Sequence, residues 1–216
     1  MSMWAAGLAA ASGLVIWWRI VGPGFTWLAG GVTLLLGIPA ALGTGSGFAW
    51  VGCAMAVLAI GNARRPRYAA SAGAVAAVGF LVAADGNVAS MISGALFLGG
   101  VTAEMLLGHW YLIDPTLPRW ALRRLALAGA GGAVVDFAIL AWLGVFPWSA
   151  GDTAVGLGFV LLAVTTVVLM AAVGGALREE GYAGVMAATG LSYLALLTAI
   201  GAAVVGRMLV EGPVLS

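Results

Sequence analysis

The chain has 216 residues, of which 63% are hydrophobic and only 8% are Asp, Glu, Lys or Arg, against about 25% in ordinary soluble domains. No soluble fold of this size hides so much apolar surface, so the composition predicts an all-α polytopic transmembrane helical bundle. A formal net charge of +1, spread over nine scattered arginines, excludes nucleic acid as a partner, because phosphate recognition needs a basic face.

Dividing the chain at charged residues and prolines predicts eight apolar spans in one integral membrane domain, 1–216. They cover 3–18, 25–43, 47–61, 68–84, 88–112, 121–146, 153–177 and 182–206. The first lacks a basic leader and ends in WWRI (17–20) rather than at a small-residue cleavage site, so it reads as a retained helix. The first, third and fourth spans lie near the lower limit of about 17 residues for a crossing, which makes seven spans the alternative count. GTGSG (43–47) has the glycines of a phosphate cradle, but no strand precedes it and no lysine follows, so a turn is expected there. Cys53, the single cysteine, reads as a small core residue, and NARRPRY (62–68) as a topology signal.

The fifth and sixth spans carry the candidate chemistry. Gly100, Glu104 and Gly108 follow one another at four-residue spacing, and Gly129 and Gly132 precede Asp136 by seven and four residues. Both acids therefore lie on small-residue faces that pack against other helices. An acid in hydrocarbon costs about 2.5 to 3.5 kcal/mol on insertion scales and by default marks a functional site. Glu104 and Asp136 are accordingly the first proton- or substrate-binding candidates. A rise of about 1.5 Å per residue places them about one turn apart in depth on antiparallel neighbours. His109, the only histidine, points about 140° away from Glu104 and is expected to face Thr102 and Met105 or the headgroups. Tyr111 completes the candidate set. In LIDPTLPRWALRRL (112–125), Asp114 and Pro115 mark a helix or turn start and Pro118 lies near the first turn of the next helix. Arg119, Arg123 and Arg124 form a basic collar with Trp120 as headgroup or anion contacts.

Charge gives the threading. Arg19, then Arg64, Arg65 and Arg67, then Arg119, Arg123 and Arg124, then Arg178 follow the odd-numbered spans, and only Arg207 departs from the pattern. The positive-inside rule then predicts a cell (inner) membrane protein with both termini outside the cytoplasm. Trp4, Trp50 and Trp148 fall at predicted outer ends, Trp17, Trp18, Trp27, Trp110 and Trp120 at inner ones, and Trp142 one turn inside a span.

These features predict a small transporter or proton-linked carrier built around the embedded acids. The alternative is a cofactor- or quinone-binding membrane subunit of a larger redox complex, with haem or quinone at His109 beside Trp110 and Tyr111. A weaker third reading is an enzyme acting on lipid at the arginine collar. The chain has no lysine for a Schiff base, and one histidine supplies neither bis-histidine haem ligation nor a metal site, so no metal and no catalytic residue is predicted. The expected partners are the lipid bilayer and other membrane subunits or further copies of the chain. No four-plus-four repeat is visible in the sequence.

Overall fold

The computed structural model describes residues 1–148, 152–179 and 181–212, and among them there are helices and turns but no strand. The helices are α1 (Ser2–Trp17), α2 (Pro23–Thr44), α3 (Gly47–Gly61), α4 (Pro66–Val82), α5 (Val88–Tyr111), α6 (Arg119–Leu140), α7 (Thr153–Ala176) and α8 (Tyr182–Glu211). One helix lies on each predicted span. The run of α6 continues through a π-helical turn, Ala141–Val145, that ends where Gly144 takes a φ of 97°. Five helices are long and apolar enough to cross a membrane: α2, α5, α6 with its π turn, α7 and α8. At 16, 15 and 17 residues, α1, α3 and α4 are apolar but shorter. The protein is thus all-helical and membrane-embedded, and length alone supports five of the eight expected crossings.

Local chemistry explains the boundaries. Pro23 and Pro66 open α2 and α4, where a missing backbone N–H costs nothing. Asn87 caps α5 by accepting from the backbone N–H of Ala89 at 2.9 Å and of Ser90 at 3.3 Å. Gly45 ends α2 in the left-handed region, φ 63°, and donates its N–H to the Ala41 carbonyl, so GTGSG is a tight turn. Pro118 is the N-cap of α6, beside its first turn as expected.

The helices pack as two rings of four. In the first, α1 touches α2, α2 touches α3, α3 touches α4, and α4 returns to α1; α5 to α8 repeat that order, and α1 lies along α5 to join the rings. Around one recess at one end of the bundle gather Ser2, Thr44, Asp85, Asn87 and Glu211. At the other end Trp18 meets Trp120 at 4.9 Å, Trp110 meets Phe25 at 6.3 Å, and Trp27 lies near Arg64 and Arg65. Successive helices therefore alternate in direction, and every arginine except Arg207 belongs to the tryptophan-rich end.

Small residues set the distances between helices. A Cβ on Gly99 would lie 2.2 Å from the Gly7 backbone, and one on Gly100 2.9 Å from Gly129, so α5 is pressed between α1 and α6. Large apolar side chains face outward instead, among them Leu35 and Leu42 of α2, Leu161 of α7 and Leu197 of α8. That continuous apolar exterior suits lipid and not water.

Candidate functional site

α5 is the most buried of the long helices, and it carries Glu104 at 0% exposure. The carboxyl faces α8. Its Oε2 is hydrogen-bonded to the Ser192 hydroxyl, and the same Ser192 Oγ lies 2.8 Å from the Ala188 carbonyl one turn back. Oε1 is buried with no hydrogen-bond partner. One turn further along α5, a Cβ on Gly108 would come within 2.8 Å of Thr189 Oγ1, so glycine there lets α8 close over the acid. No cation stands beside Glu104 among the described residues.

Asp136 is equally buried, at 0% exposure, but is fully partnered. Arg207 of α8 meets it with two parallel bonds, Nη2 to Oδ1 at 2.8 Å and Nη1 to Oδ2 at 3.2 Å. Ser93 of α5 donates to Oδ1 at 2.6 Å, and the second proton on each Nη reaches a carbonyl, Nη2 that of Ser90 and Nη1 that of Ala203. Arg207 thus crosses from α8 to tie α5 and α6 together. Its departure from the charge pattern is explained by this ion pair, at the end of the bundle opposite the other arginines.

The two acids are not a couple. Ser93 lies opposite Asp136, Phe97 opposite Gly132 and Gly100 opposite Gly129, which fixes the antiparallel register of α5 and α6. On that register Glu104 stands eleven residues from the level of Asp136, about 16 Å along the axis rather than one turn. Measuring each acid from its own helix end assumes that the two helices start level, and they do not.

His109 turns away from Glu104, as the helical angle predicts, and its hydrogen-bond partner is on α8. Its Nδ1 is 3.1 Å from the Tyr193 hydroxyl, with the rings nearly perpendicular. Thr102 is occupied otherwise: Trp4 Nε1 donates to it at 2.8 Å, and it donates to the Leu98 carbonyl at 2.6 Å. Tyr111 is buried in the apolar core, while Trp110 packs over Gly24 and against Phe25. These three aromatic neighbours in sequence point to three different places. The partners that matter, Ser192 for Glu104 and Tyr193 for His109, are adjacent on α8. Their signal in the sequence is a short polar group, Thr189, Ser192 and Tyr193, within an apolar stretch of α8.

At the arginine-rich end the collar is partly spent on protein. Arg119 donates to the Glu179 and Gly181 carbonyls at 2.8 and 2.7 Å, and Arg123 Nη2 donates to the Leu177 carbonyl at 2.9 Å. They satisfy backbone oxygens between the end of α7 and the start of α8. Arg124 stacks over Trp120, 4.7 Å from the ring centre. Asp114 closes its own turn by accepting from Thr116 N and Oγ1. No cluster of three or more His, Cys, Asp or Glu suited to a metal occurs among the described residues. No protein family, curated protein or solved structure matches the chain.

Proposed function

We propose that this chain is a small proton-linked carrier of the cell membrane, threaded eight times, with Glu104 as its proton-binding group. The observation that carries this reading is a fully buried carboxyl with no cation beside it and one oxygen unbonded. Ser192 has a single hydroxyl proton and two oxygens to meet, the Ala188 carbonyl and Glu104 Oε2. A protonated carboxyl lets both bonds form at full strength, whereas an ionised one leaves the two oxygens to share the single hydroxyl proton. Losing the carboxyl proton leaves a charge in the α5–α8 interface that only water or a cationic solute could compensate, so proton release and opening of the interface are linked. Asp136, already neutralised by Arg207, has a holding role in this scheme. The repeated order of contacts in the two four-helix rings supports a carrier, since such folds are often built from paired repeats. The arginine-rich end faces the cytoplasm by the positive-inside rule, which leaves both termini on the opposite side.

The test uses vesicles holding the purified protein and an internal pH dye, challenged in turn with organic cations, carboxylates, sugars and divalent metal ions. At least one class is expected to drive a pH change with wild-type protein, and Glu104→Gln is expected to abolish it while the protein still folds. A solute-driven pH change that survives in Glu104→Gln overturns the assignment. A haem band, or stoichiometric quinone lost on His109→Ala, would replace the carrier by the redox-subunit reading.

A further inference from the structure

The weakest contact between sequence neighbours in the second ring is that of α6 with α7, and an open groove of about 620 Å³ runs between them on the outer surface of the bundle. Its two walls are single helix faces. One carries Arg123, Ala130 and Gly131, the other Gly174, Gly175 and Arg178, and the two arginines stand at the same end because the helices are antiparallel. The remainder of the lining is apolar or small, and Gly131, Gly174 and Gly175 each have nothing within 4 Å of where a Cβ would be. At Gly99, Gly100 and Gly132 a neighbouring helix fills that space; here nothing of the protein does.

The arginines at the mouth keep donors free. Arg123, which lines the groove, places Nε and Nη2 on the Leu177 carbonyl, and no bond among the described residues uses its Nη1. Arg178 is exposed and makes no ion pair among the described residues. From Arg123 to the far lining residue Val134 the groove runs about 16 Å along α6, close to half of a hydrocarbon core of about 30 Å. Two guanidinium groups at headgroup depth above an apolar channel one leaflet deep match the shape and charge of one kind of molecule.

We infer that this groove binds an anionic phospholipid, with the headgroup phosphate between Arg123 and Arg178 and one acyl chain lying over Gly131, Gly174 and Gly175. A second copy of the chain is the lesser fit. In one membrane it would present its own arginine-rich end at the same level and set like charges against each other. The site is separate from Glu104, and its test does not depend on the carrier reading.

Native mass spectrometry of the full chain, stripped of lipid in detergent and offered phosphatidylglycerol, phosphatidylcholine or inorganic phosphate, decides the matter. One phosphatidylglycerol is expected to be retained in preference to phosphatidylcholine, with inorganic phosphate alone not retained. Arg178→Gln should weaken that retention about fivefold, the effect of one interfacial cation. Gly131→Leu, whose added side chain meets no protein atom near its base, should remove the adduct while the unfolding temperature holds. Equal retention of the two lipids overturns the inference, as does retention unchanged in Gly131→Leu. A dimer that Gly131→Leu converts to monomer would overturn it in favour of a second copy, and binding of inorganic phosphate alone in favour of a simple anion site.

Discussion

Arg207 and Ser192 decide what the two buried acids are. A carboxylate met by a guanidinium in two parallel bonds is satisfied, whereas one met only by a hydroxyl is not, and that contrast separates Asp136 from Glu104. Arg207→Gln leaves Asp136 buried beside Ser93 without its cation, and a broken buried pair costs about 3 to 5 kcal/mol. The variant should therefore unfold at much lower temperature in detergent. The double change Asp136→Leu with Arg207→Met should recover most of the loss, because it removes both charges together. If the single and double variants unfold alike, the ion pair does not hold α5, α6 and α8 together. Ser192→Ala should cost far less, about 0.6 kcal/mol, the usual worth of a hydrogen bond between helices in a membrane. A loss as large as that of Arg207→Gln would mean that Ser192 does more than hydrogen-bond Glu104. Both acids were legible in the sequence as polar residues inside apolar runs. Ser93 and Ser192 were not, because serine in a membrane helix is commonly content with a carbonyl of its own preceding turn and so advertises no partner. Arg207 was visible only as an exception to a charge rule, and the reason for the exception is a contact 71 residues away.

At the scale of helices, the sequence was most informative where chain chemistry is local. Prolines, Asn87 and Gly45 mark boundaries by what their backbones can or cannot do, and all eight helices fall where the apolar runs lie. The π turn after α6 was not legible. Ala141–Val145 reads as more of the same apolar helix, and nothing short of the backbone conformation at Gly144 announces the change. The glycine stripes foretold close packing but not which helix would come close, since small residues at helical spacing accept any neighbour. The packing itself makes a firm prediction. Gly99→Leu drives a side chain into the Gly7 backbone, where only the separation of α1 from α5 relieves the clash. Overpacking usually costs about 1 to 3 kcal/mol, and a clash with backbone rather than a movable side chain places this variant at or beyond the upper end. Gly31→Ala meets nothing within 4 Å and should leave the unfolding temperature unchanged. Equal thermal stability of the two variants in detergent would show that α1 does not rest on α5 through Gly7 and Gly99.

For the whole molecule the question is whether the short helices cross. The four-plus-four order of contacts could not be read from the sequence because the two rings share an arrangement and not residues. The distribution of arginine, in contrast, was legible at once, and it predicts that α4 crosses even though it has 17 residues. Such a helix is about 25 Å long, short of a hydrocarbon core of about 30 Å. Local thinning of the bilayer makes up a difference of that size at a cost of fractions of a kcal/mol per Å. The ends of α4 provide the measurement. Arg64 precedes it and the exposed Asp85 follows it, so in a Cys53→Ala background a membrane-impermeant maleimide added outside intact spheroplasts should label Asp85→Cys. Arg64→Cys should be labelled only after the membrane is opened. Labelling of both from outside would mean that α4 lies within one side of the membrane, and the alternation of charge would lose its meaning as topology. Labelling of Arg64→Cys alone would keep the crossing and reverse the orientation, placing the arginine collar, and with it the lipid groove, on the outer leaflet.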